Sequence, residues 1–89
     1  MKYEFPENYE IGFHDEDGTL DEYLEWGWEI EFVYNDTKYN IDGLEIRNRE
    51  TNRIVLSEES DDVQRFLSLP FEGKTVREVL SEAYITGLH

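Results

Sequence analysis

The chain contains no cysteine, and its 89 residues include only two prolines and two histidines. Without cysteine it can form neither a disulfide framework nor a thiolate nucleophile. No apolar run approaches the roughly 20 residues that cross a bilayer, and the first four residues, MKYE, lack the apolar core of a signal peptide. These absences favour a soluble, cytoplasmic protein, and the length fits one domain with a small core.

Positive charge is also scarce. Eight lysines and arginines face 22 acids, which gives a net charge of −14, and residues 1–31 contain 11 of the acids with a single lysine. Such a charge disfavours direct binding of nucleic acid or of an anionic membrane, because both are polyanions. It suits a basic protein partner, although acidic charge can also serve only to keep a small domain in solution.

An acidic stretch from Asp15 to Glu31 organises the chain, with no lysine or arginine inside it. Its eight carboxylates are Asp15, Glu16, Asp17, Asp21, Glu22, Glu25, Glu29 and Glu31. A calcium loop starting at Asp15 needs glycine at its sixth position and glutamate at its twelfth, whereas the chain has Leu20 and Trp26 there. We therefore expect the eight acids to form a partner-binding surface, and we expect no metal site.

The N-terminal residues 1–13 alternate aromatic or apolar and polar side chains on either side of Pro6. This pattern predicts an extended segment, either an arm that grips a partner or a segment packed onto the domain. A loop at 14–18 follows. Thr19 and Glu22 then predict a capping box, and Gly27 is placed to end the short helix. The apolar stripe of this helix is Leu20, Tyr23 and Leu24.

Three strands are predicted next. Residues 28–34 form a half-buried strand, because alternate side chains give one apolar face and a second face that holds the acids. The apolar face is Trp28, Ile30, Phe32 and Tyr34, and the second is Glu29, Glu31 and Val33. Residues 38–49 read as a return strand whose parity changes at Asp42-Gly43, so a bulge or a second tight turn is expected there. Residues 53–57 form the third strand, with Ile54 and Leu56 pointing inward.

The last third is predicted to be helical. Ser57 or Ser60 is expected to cap a helix whose first turn carries the acids of residues 58–62, where the helix dipole favours them. Its inward stripe is Val63, Phe66 and Leu67. Thr75 and Glu78 predict a second capping box, with Val76, Val79, Leu80 and Ala83 at helical spacing. Residues 84–88 form either a short strand or a tail.

The order of elements predicts a single α+β domain over residues 1–89, with residues 1–13 as a possible extended arm. Its sheet is a small three-stranded antiparallel meander, joined by a short N-terminal helix and two C-terminal helices.

Catalytic patterns are missing from the sequence. The histidines are His14 and His89, and no Gly-rich phosphate loop, HExxH or GxSxG occurs. We expect a non-enzymatic protein without a cofactor. An array of carboxylates resembles the charge of a nucleic-acid backbone and can occupy the basic site of a nuclease or other nucleic-acid-binding protein. Trp26, Tyr23 or Tyr34 is the candidate for a desolvated anchor.

The stretch RIVLSEESDDVQRFL at 53–67, together with the element order over 19–84, resembles the small acidic phage-encoded inhibitors of type II CRISPR nucleases, the anti-CRISPR proteins. In those proteins a helix, a three-stranded sheet and two helices present acids that mimic the protospacer-adjacent DNA. The resemblance implies an inhibitor of a Cas nuclease, but it assigns no individual binding residue. Two alternatives stay open: an immunity protein that neutralises a cationic toxin nuclease, and a structural or adaptor domain with an acidic solubilising surface.

Overall fold

The computed structural model describes residues 19–88, so the predicted arm at 1–13 and the loop at 14–18 lie outside the described residues. The helices are α1 (Thr19–Glu25), α2 (Val63–Leu67) and α3 (Val76–Glu82). The strands are β1 (Ile30–Tyr34), β2 (Thr37–Asp42), β3 (Glu45–Asn48), β4 (Arg53–Ser57), β5 (Pro70–Phe71), β6 (Lys74–Thr75) and β7 (Tyr84–Leu88).

The main sheet has five antiparallel strands in the order β4-β3-β2-β1-β7, and β5 and β6 form a separate hairpin. The α+β class and the antiparallel sheet are confirmed, but the prediction of three strands is wrong. One reason is that the predicted strand at 38–49 is two strands, joined by a turn at Gly43 and Leu44. Both turn residues have positive φ, 60° and 59°, which a two-residue hairpin turn requires. This turn explains the change of parity.

The fifth strand is β7, which resolves residues 84–88 as a strand rather than a tail. It pairs with β1, with Leu88 opposite Ile30 and Ile85 opposite Phe32. Strand β1 is therefore hydrogen-bonded on both sides. The partners in this pairing are more than 50 residues apart in the chain, so no local pattern in the sequence indicates it.

One face of the sheet forms the core. Ile30, Ile41 and Ile46 lie side by side across β1, β2 and β3, and each is 0% exposed. The helices cover this face with the stripes that the sequence predicts, which are buried at Leu20, Leu24, Val63, Phe66, Leu67, Val76, Val79 and Leu80. The opposite face carries Glu31, Asn40 and Arg47 in register. We call it the polar face.

Gly27 ends α1 as predicted. Its φ is 77°, and its backbone N–H donates to the carbonyl of Leu24 while that of Trp28 donates to the carbonyl of Tyr23. These two bonds define a Schellman motif with glycine at its left-handed position. The rings of Tyr23 and Trp28 lie 4.9 Å apart, centroid to centroid, which supplies the apolar contact that usually accompanies the motif.

Gly27→Ala is expected to lower the free energy of unfolding by about 1 kcal/mol, because a Cβ disfavours the left-handed conformation. No atom lies within 4 Å of the position that this Cβ would take, so the loss comes from the backbone alone. Gly27→Asn is the matched control, since asparagine adopts this conformation at a lower cost. Urea denaturation measures both variants, and unchanged stability in the alanine variant would contradict this account.

Helix α2 begins later than predicted. Its N-cap is Asp62, whose carboxylate accepts a hydrogen bond from the Arg65 N–H at 3.2 Å, so the assignment of the cap to Ser57 or Ser60 is wrong. Residues 58–61 therefore form a loop and not a first helical turn. Aspartate is as good an N-cap as serine, and the helix that Asp62 caps begins with the buried Val63. The acids of this loop are therefore not in the first turn of α2, where the helix dipole would stabilise them.

Helix α3 has the predicted capping box. The Thr75 side chain accepts from the Glu78 backbone, and the Glu78 carboxylate accepts from the Thr75 backbone N–H at 3.1 Å. The carboxylate accepts from the Thr75 backbone N–H and also from the Thr75 hydroxyl at 3.1 Å, and these two hydrogen bonds to its charged form lower the pKa of Glu78.

The edge strand β4 departs from its predicted orientation. Leu56 packs against the core opposite Ile46, but Ile54 pairs with Arg47 on the polar face and is 47% exposed. The register shift between Ile46 and Arg47 leaves Val55 as the extra residue of a bulge, which turns the neighbouring side chain to the other face. The prediction that Ile54 points inward is therefore wrong.

Candidate functional site: an acidic groove

The eight acids predicted as a partner-binding surface do not share one face where the structure describes them. Asp15, Glu16 and Asp17 lie outside the described residues. Of the other five, Asp21, Glu22 and Glu25 are on α1, on the core side of the sheet, whereas Glu31 is on the polar face. Glu29 immediately precedes β1 and reaches the same polar face through a contact with Asn40.

Asp21 is occupied by contacts between the helices. Its carboxylate lies 3.2 Å from Nη1 of Arg77 on α3, and it accepts a hydrogen bond from the Gln64 side chain on α2. Gln64 in turn accepts from Arg77 at 3.0 Å. This cluster joins all three helices, so the charge of Asp21 is balanced within the fold.

Glu31 is also paired. Its carboxylate lies 3.2 Å from Nη1 of Arg49, across the polar face. Both side chains are partly open to solvent, and an exposed pair of this kind contributes only about 0–1 kcal/mol to stability. Of the five described acids, Glu22 and Glu25 are the ones most open to solvent.

Glu25 lines an open groove of about 840 Å³ at the end of the domain where α1, the β2–β3 turn and the β4–α2 loop meet. Five carboxylates line it: Glu25, Glu45, Glu58, Glu59 and Asp61. Its apolar lining residues are Leu24, Leu44 and Val63. No lysine or arginine of residues 19–88 lines the groove. We call this feature the acidic groove.

Glu58 is the most structured of the groove acids. Its carboxylate accepts hydrogen bonds from the backbone N–H of Ser60 at 3.1 Å and from the Ser60 hydroxyl at 2.9 Å. Arg65 lies 3.5 Å away as an ion-pair partner. These hydrogen bonds, and to a lesser extent the charge of Arg65, lower the pKa of Glu58. The carboxylate thus stays ionised to lower pH than an ordinary glutamate.

Ser60→Ala is expected to raise the pKa of Glu58 toward its ordinary value of 4.5, because the hydroxyl donor is removed while the backbone donor remains. The depressed pKa means that the stabilising contribution of Glu58 is present above this ordinary value and is lost as the pH falls through the folded-state pKa. NMR titration of the side-chain carboxyl measures the shift. Ser68→Ala, at the C-cap of α2, is the control. An unchanged Glu58 pKa in Ser60→Ala would contradict the hydrogen-bond assignment.

Sequence reasoning missed four of the five groove acids. Glu45 lies in the predicted return strand at 38–49, outside the acidic stretch, and Glu58, Glu59 and Asp61 were explained as the first turn of a helix. The parity change at Asp42-Gly43 was the available signal, since a tight turn there puts Glu45 opposite Asp42 at the start of β3. The pairing of β3 with β4 then puts Glu45 opposite Ser57, beside the loop that carries the other acids. The meeting of this turn with the end of α1 depends on tertiary packing.

The three aromatic candidates for an anchor differ in how far they are exposed. Tyr23 and Tyr34 pack against the core, whereas Trp26 is 65% exposed. Trp26 directly follows the groove residue Glu25 in the chain, and its ring lies 6.4 Å from that of Tyr23 in an edge-to-face arrangement. Of the three anchors considered from the sequence, Trp26 is the one that is free to contact a partner.

Residues 19–88 contain no group of three or more histidine, aspartate or glutamate side chains placed to hold a metal ion. Over the same residues, no helix has the length and apolarity needed to cross a membrane. Searches against protein-family models, curated proteins and solved structures found no match to this chain.

Proposed function

We propose that this protein is a non-enzymatic acidic inhibitor, which binds through its acidic groove to the nucleic-acid-binding site of a basic protein. The observation that carries the proposal is the groove itself. It gathers five carboxylates from three separate segments of the chain, and no lysine or arginine of the described part lines it.

The placement of the acids supports mimicry of a nucleic-acid backbone. The groove acids come from α1, from β3 and from the loop before α2, and each of these segments is held by buried neighbours: Leu24, Ile46 and Val63. The acids are thus presented on a fixed framework and not on a disordered tail. Fixed negative charge steers association with a basic site and makes the affinity fall as salt rises.

Charge alone rarely makes a tight interface, and a buried aromatic anchor usually supplies much of the affinity. Trp26 is the candidate for this role, because its exposed ring adjoins Glu25 at the C-terminal end of α1. The apolar lining at Leu24, Leu44 and Val63 adds a surface that a partner side chain can cover.

The resemblance of residues 53–67 to anti-CRISPR proteins makes a type II CRISPR nuclease the first partner to test. A cationic toxin nuclease would meet the same surface, and in that case the protein would be its immunity protein. In either partner, the acidic groove and nucleic acid would occupy the same basic site and could not be bound together. The proposal therefore predicts competition with nucleic acid in both cases.

An affinity pull-down tests the proposal. The immobilised protein is incubated with bacterial lysate at low salt, and the bound proteins are eluted in steps of increasing salt. The experiment is repeated with excess duplex DNA or RNA. A purified guide-loaded type II CRISPR nuclease is tested in parallel. A nucleic-acid-binding protein that is eluted by salt and displaced by nucleic acid is the expected result. A neutral partner that is unaffected by salt and by nucleic acid would overturn the proposal in favour of an adaptor domain.

A further inference from the structure

The two tryptophans of the chain lie at the surface where α1 ends. Trp26 is 65% exposed and Trp28 is 38% exposed, although indoles are among the side chains that gain most from burial. The Tyr23 ring contacts both of them. Its centroid lies 6.4 Å from that of Trp26, edge to face, and 4.9 Å from that of Trp28. We call these three rings the aromatic platform.

The backbone at the end of α1 holds the aromatic platform in place. The N–H of Trp26 donates to the carbonyl of Glu22 at 2.9 Å, and the N–H of Trp28 donates to the carbonyl of Tyr23 at 3.0 Å. Leu24, which lies between the rings in sequence, is buried in the core. A tryptophan side chain has only two torsions to order when a partner covers it. The exposed indoles are thus held in position before a partner binds.

Exposed carboxylates adjoin the aromatic platform. Glu25 directly precedes Trp26, and Glu22 lies four residues before it, on the same side of the helix. No lysine or arginine occurs from residue 19 to residue 37. A purely apolar partner side chain would remove water from these carboxylates without replacing its hydrogen bonds. A cation that covers the rings and meets the carboxylates avoids this cost, so the charge of the platform favours a cationic occupant.

We propose that the aromatic platform binds an arginine side chain of the basic partner. A guanidinium is planar, so it stacks on an aromatic face and still presents N–H donors at its edge. It can therefore cover the Trp26 indole while it donates to the Glu22 or Glu25 carboxylate. A lysine ammonium is more strongly hydrated and does not stack in this way.

The aromatic platform is continuous with the acidic groove, because Leu24 and Glu25 line the groove and lie between its rings in sequence. A partner that covers the groove can therefore place an arginine on the platform within the same interface. The assignment to a partner arginine rests on the proposed function, whereas the preference of the platform for arginine does not.

Tryptophan fluorescence of the isolated protein tests the preference for arginine. Since both tryptophans belong to the aromatic platform, their emission reports on it alone. The probes are octa-arginine and octa-lysine, two peptides of equal length and charge, titrated at low salt. We expect octa-arginine to quench the emission more strongly and to bind about three- to fivefold more tightly, which is the usual effect of an exposed cation–π contact. Equal quenching and equal affinity would overturn the proposal.

Two variants show whether the preference depends on the indole. Trp26→Ala changes an exposed side chain and leaves every carboxylate in place, so we expect it to stay folded and to bind the two peptides equally in isothermal titration calorimetry. Tyr84→Ala is the matched control, because Tyr84 on β7 is as exposed as Trp28, and it should keep the preference. If folded Trp26→Ala still prefers octa-arginine, the carboxylates alone cause the preference and the proposal fails.

A second copy of this chain is the other occupant that exposed indoles can attract. We expect the protein to remain monomeric in sedimentation velocity over a wide range of concentration, because two copies with a net charge of −14 repel each other. A dimer that forms in the wild-type protein and is absent from Trp26→Ala would overturn the assignment of the platform to arginine.

The partner complex separates this inference from the proposed function. Trp26→Ala should weaken the complex by about five- to thirtyfold, because a cation–π contact is stronger where an interface excludes water, and Tyr84→Ala should not weaken it. If only charge reversal at Glu59 and Asp61 weakens the complex, the arginine assignment is overturned and the proposed inhibitory function stands. If the platform prefers octa-arginine and charge reversal leaves partner binding intact, it is the proposed function that fails.

Discussion

The double variant Glu59→Lys/Asp61→Lys is expected to bind a basic partner about 30-fold more weakly than the wild-type protein at low salt. Each reversal removes one attraction and adds one repulsion, and about 1 kcal/mol at each site gives a loss of this size. Both residues are exposed in the loop before α2 and have no hydrogen bond or ion pair described within the domain. The fold should therefore be unchanged. Isothermal titration calorimetry with the partner from the pull-down measures the affinity.

The matched control is Glu50→Lys/Glu72→Lys, which changes the net charge by the same amount. Glu50 and Glu72 are exposed turn residues. Burial raises the pKa of Tyr39 most, and the negative charges of Glu72 and Glu50 raise it further. Neither residue lines the acidic groove. A loss below about threefold is expected for this control. Equal losses in the two double variants would show that only net charge matters and would contradict a role for the groove.

Phe66→Ala is expected to destabilise the protein by about 3–5 kcal/mol, which is the usual cost of removing a buried phenylalanine side chain. Phe66 is 0% exposed and lies in α2, a helix of five residues. A helix this short does not persist without tertiary packing. Since small domains have only about 5–15 kcal/mol of stability in total, the variant should unfold at markedly lower urea concentration. Circular dichroism during urea titration measures the loss.

Arg65→Ala is the control on the same helix. Its side chain is 71% exposed and its partner Glu58 is 3.5 Å away, so a loss of less than about 1 kcal/mol is expected. The comparison also bears on function, because α2 fixes the loop that carries Glu58, Glu59 and Asp61. Under conditions where Phe66→Ala is partly unfolded, partner binding should fall with the folded fraction. A loss of stability in Phe66→Ala as small as that in Arg65→Ala would contradict the burial of Phe66 in the core.

The sequence predicted well those features that depend on local chemistry. The capping box at Thr75 and Glu78, the left-handed glycine at Gly27 and the helical stripe at Val63, Phe66 and Leu67 are all present. In each case the signal lies within one or two helical turns. Side-chain periodicity and hydrogen bonds to neighbouring backbone groups are enough to specify such features.

Features that depend on distant parts of the chain were not predictable in the same way. The pairing of β7 with β1 follows from tertiary packing, and the bulge at Val55 depends on how β3 and β4 align. The N-cap of α2 was misplaced because Ser57, Ser60 and Asp62 are all good capping residues. The local sequence does not distinguish among them.

The candidate site shows the same limit. Proximity in the sequence suggested that acids from Asp15 to Glu31 act together, yet Asp21 joins the helices through Arg77 and Glu31 faces the other side of the sheet. The acidic groove instead combines Glu25 with acids that are 20 to 36 residues away in the chain. The composition of the sequence indicated a basic partner, but the surface proposed to bind it could be identified only from the fold.

Hydrogen exchange of this protein, measured with and without the partner captured in the pull-down, tests the central claim most directly. We predict that protection on binding is concentrated at the C-terminal end of α1, at the β2–β3 turn and in residues 57–63. This protection should be lost when duplex DNA displaces the protein from its partner. Protection confined to α3 and β7, with the groove segments unchanged, would contradict the account.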